Sequence, residues 1–377
     1  MTVSSNLTGV GNNVVARDTG SLILAGNNSF GGGLSTDATN PNTAIIVTSP
    51  GGLGAGAVTF ATRLSNSTAT QPVLGFDLGA NSSNTFNNNI ALDSGMRQKF
   101  LSIQTNNSQA VTLAGVISGG SVTGSILFAN ATNGNTGTFI LSNANTFVGA
   151  TTVANGTLLV NGSTASGSAI GVSSGATFGG TGTVGGATTL NAGSRLAPGA
   201  GGVGTLNVAN GVTINGGTGS TWLIEVNGLL PANADRLALA GAGSNLNLVL
   251  SPTSKLTLDI QALGNPAFQV GMPYTYTIAT AAAGGNFQRN GGSFFFDPSE
   301  FSISSNVPIQ NYSLAVSGNE LQLTFTPVPE SGHVFLICTA AAGGAWFFRG
   351  LSRTNLQLAP NPQSLLTFSD PRGPAPV

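Results

Sequence analysis

Asn155-Gly156-Thr157-Leu158-Leu159-Val160, Ser174-Gly175-Ala176-Thr177-Phe178-Gly179-Gly180, Ala192-Gly193-Ser194-Arg195-Leu196-Ala197-Pro198-Gly199 and Asn210-Gly211-Val212-Thr213-Ile214-Asn215-Gly216 are four versions of one phrase. The glycines at 156, 175, 193 and 211 recur every 18 or 19 residues. That period is too short for a pair of helices and fits one coil of a β-solenoid. A single coil leaves one apolar face open, and stacked coils bury it in a continuous core. The period therefore predicts a scaffold before it predicts any chemistry.

Working outward, composition supports the same architecture. Only 6% of the 377 residues are charged, 55 are glycine, and 40% are hydrophobic. An ordinary globular domain carries about a quarter charged residues. Like residues stack coil on coil in a solenoid, where like charges repel while Asn, Ser and Thr hydrogen-bond to one another. The hydrophobic content and β-branched alternation argue against a low-complexity disordered chain. Net charge is −1 with no basic stripe, which argues against nucleic acid as a partner. Cys338 is the single cysteine, so an intramolecular disulfide framework is excluded.

A longer echo precedes the array. Gly20-Ser21-Leu22-Ile23-Leu24-Ala25-Gly26-Asn27-Asn28-Ser29-Phe30-Gly31-Gly32 parallels Gly137-Thr138-Phe139-Ile140-Leu141-Ser142-Asn143-Ala144-Asn145-Thr146-Phe147-Val148-Gly149. Each is a short strand, an Asn-rich turn, an aromatic and a glycine. The Asn residues suit a turn and a side-chain ladder. Phe30 and Phe147 read as interior plugs, with sugar stacking as the competing role.

These features divide the chain into irregular solenoid coils over 1–136, a repeat array over 137–228, and terminal coils with a β-rich cap over 229–326. In the last of these, Asp235–Leu239, Leu246–Leu250, Lys255–Ile260, Tyr274–Ile278 and Glu320–Phe325 alternate as strands. A cap is expected because an open solenoid end is an exposed sheet edge. Segment 327–351 opens on a stiff Pro327-Val328-Pro329-Glu330-Ser331 spacer and continues as an apolar run, Val334 to Phe348, flanked by Arg349. Over 332–351 the run approaches the length of a membrane-spanning helix; a helix buried in the β-domain is the alternative. Residues 352–377 are Pro-rich and read as a disordered tail. Met1–Asn6 has no basic n-region and no apolar stretch, so an exported protein would carry its signal upstream of Met1.

Asn143–Val153, Asn155–Gly162, Gly179–Gly186 and Leu196–Gly199 resemble the autotransporter-associated β-strand repeat family, closely over 137–228 and more weakly back to about residue 20. The resemblance implies an all-β, right-handed parallel β-helix of the kind found in exported passenger-type proteins of Gram-negative bacteria, completed here by the β-rich cap and the single C-terminal hydrophobic helix. Val328, Pro329, Glu330 and Arg349 resemble a PEP-CTERM sorting signal, a Pro-Glu motif followed by an apolar helix and arginine. Ser331 stands where that family has a second proline, and the chain runs on to Val377. This resemblance implies exosortase-type sorting machinery and transient inner-membrane anchoring, with a final place at the cell surface, outer envelope or matrix.

Candidate chemistry is sparse. Hydrolysis on a β-helix needs clustered carboxylates, and lyases need acidic metal ligands with a basic residue. No acidic residue falls within 137–224. Asp297 and Glu300 read as a capped turn rather than a catalytic dyad. Glu225 and Asp235, beside Arg236, read as solvated edge residues, with a calcium or sugar site as the alternative. His333 is the only histidine, against a multi-histidine zinc site or a Ser-His-Asp triad. Gly199-Ala200-Gly201-Gly202-Val203-Gly204 lacks the strand–loop–helix setting of a nucleotide loop, and the aspartates of the calcium-binding nonapeptide repeat are missing. No cofactor, metal or catalytic residue is therefore expected. The leading reading is a non-catalytic surface scaffold that contacts extracellular polysaccharide or like subunits. The alternatives are a polysaccharide-binding adhesin and, after it, a β-helix lyase or hydrolase. Exposure of Phe268, Phe287, Phe294, Phe295 and Phe296 along one face would favour the adhesin; burial would favour the scaffold.

Overall fold

Alternating residues in short β-branched runs put every second side chain on one side of a strand, and here that side is the inside of a coil. The computed structural model describes residues 1–16, 20–36, 43–60, 73–79, 82–92, 101–105, 108–121, 125–130, 137–199, 201–264, 266–329, 333–334 and 351–352. Within them the chain winds past up to three walls of strands. The first wall has 13 strands, from Thr2–Val3 to Gly292–Ser293. The second has nine, from Ser83–Phe86 to Phe301–Ser305. The third begins as a five-stranded sheet over Asn13–Ala16 to Ile117–Gly119 and resumes as a six-stranded one from Thr183–Val184. Between those two sheets it continues through single parallel pairings, Ala144 with Ser163 and Ser163 with Thr183. Neighbouring strands in the body are parallel throughout, as a β-helical stack requires.

The inward residues make one core along the stack. Val153, Val172, Leu158, Val160 and Phe178 are fully buried. Phe76, Phe86, Phe139 and Phe128 form an aromatic column, with ring centroids 4.8, 6.4 and 5.4 Å apart for Phe76–Phe86, Phe76–Phe139 and Phe128–Phe139. Phe30 and Phe147 are 1% and 0% exposed, so both are core plugs and neither stacks on a sugar. Outward positions stack like on like. On the second wall Thr138, Thr157, Thr177, Arg195, Thr221 and Thr257 fall in one registered row.

Gly156, Gly175 and Gly193 occupy the same corner, between the first and second walls, with φ of 69°, 79° and 82°. Left-handed backbone turns the chain there, and an L side chain would be strained. The fourth glycine of the sequence period behaves differently. Gly211 (φ 85°) precedes a first-wall strand, Val212–Asn215, and the residue that follows Gly193 in the stack is Gly219 (φ 83°). The period breaks because the coils lengthen. Thr157 pairs with Thr177, Thr177 with Arg195, Arg195 with Thr221 and Thr221 with Thr257, which are 20, 18, 26 and 36 residues apart. The largest single share of the added length enters at the corner between the second and third walls, as residues 199–204, 227–235 and 263–273.

The C-terminal end changes direction. Tyr274–Ala281 closes the parallel series of the third wall and pairs antiparallel with Glu320–Pro327, which pairs antiparallel with Ile309–Ser317. The first wall ends in a small hairpin, Phe287–Arg289 with Gly292–Ser293. The hydrophobic helix expected over 332–351 is not shown among the described residues. Most of it lies outside the described residues, and the described pieces, His333–Val334 and Leu351–Ser352, pair as antiparallel strands. Among the described residues no helix is long and apolar enough to cross a membrane.

Two buried asparagines stitch coil to coil at equivalent places in the echoed segments. Asn28 Oδ1 accepts from Leu7 N–H in the coil before (2.8 Å), and its Nδ2 donates to Gly52 O in the coil after (2.7 Å). Asn145 Oδ1 accepts from Ile117 N–H (2.9 Å), and its Nδ2 donates to Ser163 O (3.1 Å) and Asn143 O (2.9 Å). Each amide supplies a donor and an acceptor where the corner has no regular strand to pair with. Replacing Asn145 by Ala would orphan a buried backbone N–H. Stability is expected to fall by about 1–3 kcal/mol, read as a lower urea midpoint, with Asn143→Ala, at a more exposed turn position, costing less. Equal midpoints for Asn145→Ala and wild type would remove the stitching role.

Candidate functional site

The acidic residues expected at solvated edges are drawn inward where the coil insertions begin. Asp235 is 0% exposed and Glu225 8%, which corrects the solvated reading. Glu225 lies on the second-wall strand Thr221–Val226, and the chain returns from the 227–233 loop through an antiparallel pairing of Val226 with Ala234. That return sets Asp235 beside it. Asp235 Oδ2 accepts from Glu225 N–H (3.0 Å), and Oδ1 accepts from Gly204 N–H (2.9 Å). Gly199 lies so close that a Cβ there would meet Asp235 Oδ1 at 2.7 Å. Gly199, Gly202 and Gly204 thus lie over a carboxyl pair, and the missing side chain at Gly199 permits the close approach to Asp235.

Electrostatics follow from the burial. Desolvation pushes the Asp235 carboxyl up to about 7; the N–H groups of Glu225 and Gly204 pull it down, and the neighbouring Glu225 charge adds to the rise. Desolvation also raises Glu225, opposed by the Arg195 charge and the Gly202 N–H. Glu225 Oε2 and Arg236 Nε are buried without a partner among the described residues. Arg195 reaches past the intervening strand to Asp259 (3.0 Å) on the same wall. Among the described residues no three His, Cys, Asp or Glu side chains form a group able to hold a metal.

Asp297 and Glu300 form the capped turn that the sequence predicts. Asp297 N-caps the short 3-10 helix Pro298–Glu300, accepting from Ser299 N–H (3.0 Å) and Ser299 Oγ (2.8 Å). Those two bonds, the hydroxyl's first, hold its carboxyl below the usual range. Glu300 faces inward and takes a two-pronged hydrogen bond from Arg289, whose guanidinium also lies 4.0 Å from the Phe295 ring centroid and 3.7 Å from Asp297 Oδ2. The role of Arg289 was not read from sequence; it sits at an inward-alternating position of its strand, the one signal that could have shown it.

The five aromatics do not make an exposed strip. Phe287 is buried, Phe268, Phe294 and Phe296 are half-buried against the core, and Phe295 alone is exposed, at 56%. Beside them is an open cleft of about 550 Å³, walled by the Phe287–Ser293 hairpin and the tip of the hairpin between Ile309–Ser317 and Glu320–Pro327. Asn286, Gln288, Ser293, Phe294 and Val316 line it together with glycines, and no charged side chain does. Of the sorting residues, Val328 donates its N–H to Pro308 O (2.9 Å) and Pro329 follows it. Glu330 and Arg349 lie outside the described residues, as do Asp18, Asp37, Asp93 and Asp370.

With the stack and its asparagine stitches in view, the comparison with known families falls into place. Residues 14–36 and 135–160 match the passenger-associated-transport-repeat. The two matches enclose Asn28 with Phe30 and Asn145 with Phe147, and agree with the resemblance to autotransporter-associated repeats. No curated protein matches the chain.

The raised Asp235 carboxyl carries a pH signature. Its unfolded value is about 3.9, so the folded chain holds a proton that the unfolded chain has lost between about pH 4 and 7. Stability from this group is therefore fully present below about pH 4 and is lost progressively as pH rises from there through about 7. The urea midpoint is expected to drop from pH 5 to pH 8, and Asp235→Asn is expected to flatten that slope whatever its own stability. A midpoint that rises over the same interval in the wild type would contradict the assignment.

Proposed function

We propose that this chain is an exported, surface-associated structural β-solenoid without catalytic activity. The observation that carries the reading is the passenger-type repeat, matched at two places that both serve as coil-to-coil stitches. A repeat whose buried polar residues are spent on stacking serves to extend a rigid rod. The low charge supports the same use, since outward rows such as Thr138, Thr157 and Thr177 present hydroxyls without repulsion between coils.

Export on this reading proceeds through exosortase-type sorting machinery that recognises Val328, Pro329, Glu330 and Arg349, with the apolar run Val334 to Phe348 passing transiently against the inner membrane. At the surface the partners are extracellular polysaccharide or like subunits. Fractionation and intact mass of the native protein from its own cells test the proposal. The expected species is shortened between Pro329 and Arg349 and recovered from the outer envelope or matrix, and Arg349→Ala is expected to leave it unshortened. Full-length protein in the cytosol, still ending at Val377, would overturn the reading.

A further inference from the structure

The last strand of the third wall has one free edge. Ile309–Ser317 is the outermost member of the six-stranded sheet, and with nine residues it is the longest described strand. It pairs with Glu320–Pro327 across a two-residue turn in which Gly318 has φ 60°. Such a turn makes Ser317 and Glu320 a hydrogen-bonded pair, and the ladder alternates from there. Ser313 and Ala315 therefore turn their N–H and C=O toward Glu320–Pro327. Tyr312, Leu314 and Val316 turn theirs the other way, and among the described residues no hydrogen bond reaches them. The partner strand keeps the same phase: its odd-numbered residues point to the opposite neighbour, as Pro327 O does in accepting from Gly271 N–H (2.9 Å).

Exposed edges are usually blunted by short length, a charge, a proline or a bulge. The first wall follows that rule. It begins and ends in two-residue strands, Thr2–Val3 and Gly292–Ser293, and the N-terminal ammonium sits beside the first, donating to Ser21 O (2.7 Å). The edge of the third wall does not follow it. No charged residue falls between Glu300 and Glu320. The register shift lies between Ile309 and Asn311, so Asn311–Ser317 runs on without bulge or proline. Tyr312 and Leu314 face the core, and Val316 on the same face is 44% exposed, an apolar side chain without full cover.

We propose that this edge pairs antiparallel with the same edge of a second copy of the chain, joining two rods at their C-terminal ends about a two-fold axis. An axis through Leu314 sets Leu314 against Leu314 of the partner subunit, Tyr312 against the partner's Val316, and Ser313 against the partner's Ala315. The period of two then keeps apolar residues together on the core side and small or polar ones together on the other. A second copy is favoured because the strand is neutral, so two of them meet without repulsion. It also covers Val316 with a tyrosine ring. The pairing gives the contact between like subunits a definite place and rests on the scaffold reading for its purpose only. A failure of sorting would leave the pairing intact, and a monomeric chain would leave sorting untouched.

The test is sedimentation velocity of the full chain over a dilution series, with hydrogen exchange followed at the Tyr312, Leu314 and Val316 amides. A monomer–dimer equilibrium is expected, with exchange at those three amides slowing as the dimer fills. Val316→Pro deletes one outward N–H, spares the ladder to Glu320–Pro327, and is expected to abolish the dimer. Ser313→Lys is expected to raise the dissociation constant about tenfold, since it brings two ammonium groups onto one face of the joined sheet. Added salt is expected to recover part of that loss while leaving the wild-type constant unchanged. The Ser313 side chain is exposed, so Ser313→Lys keeps the test valid should Val316→Pro fail to fold. The proposal is overturned if the chain stays monomeric throughout. It is overturned equally if association is unchanged in Ser313→Lys, the result expected were the apolar run Val334 to Phe348 to drive it. Slow exchange at the three amides already in the monomer would also overturn it, because a segment of the same chain would then cover the edge.

Discussion

Every strand in the body of this molecule must find its hydrogen-bond partners in the coil before and the coil after. A buried backbone N–H or C=O left unpaired costs about 1–3 kcal/mol, and a coil here exposes the backbone of up to three strands toward each neighbour. That demand holds the walls in register. It also explains why the corners need help. Where the third wall lacks regular strands, between Ile117–Gly119 and Thr183–Val184, the Asn145 amide reaches both ways and single pairings of Ala144, Ser163 and Thr183 carry the wall across the gap. Asn28 does the same among the first coils, whose second wall has not yet begun.

The same demand decides which side chains are tolerated. In the second-wall row threonine stands at five of six rungs, and a charge in one coil meets whatever the next coil places opposite. Threonine can occupy successive rungs. Arginine occurs once in the second-wall row, at Arg195, and it is compensated by Asp259 two strands further on. Charged residues are rarest in the repeat array, where Arg195 and Glu225 are the two within 137–228; in the C-terminal coils longer loops give them room to find partners, as Glu300 does with Arg289.

Much of this was legible from residue order. The glycine period sets the coil because a left-handed corner recurs once per turn, and three of its four glycines share that corner. The echo of Asn28-Ser29-Phe30 in Asn145-Thr146-Phe147 announced both the stitch and the plug. What failed to show has a common cause. Gly211 keeps the spacing but not the corner, because the inserted residues 199–204 lengthen its coil and the glycine then precedes a first-wall strand. Glu225 and Asp235 read as edge residues because their burial depends on the cover from that insertion, a contact between segments about 30 residues apart. Arg289 was invisible for the same reason: its partners follow a hairpin and a turn that no local pattern specifies.

The insertions at the corner between the second and third walls lengthen step by step toward the C-terminus, while the rungs on either side keep their pairing. Residues added there leave the registered core untouched, so the two parts of the chain are free to drift at different rates. The walls are bound by what sits above and below each position, and a change in one coil is felt in its neighbours. The corner loops answer mainly to solvent and to one another, with Leu229, Leu230, Val270 and Met272 already displayed at their surfaces. A rod built this way can acquire new contacts by trading loops at one edge, without having to evolve a new fold to hold them.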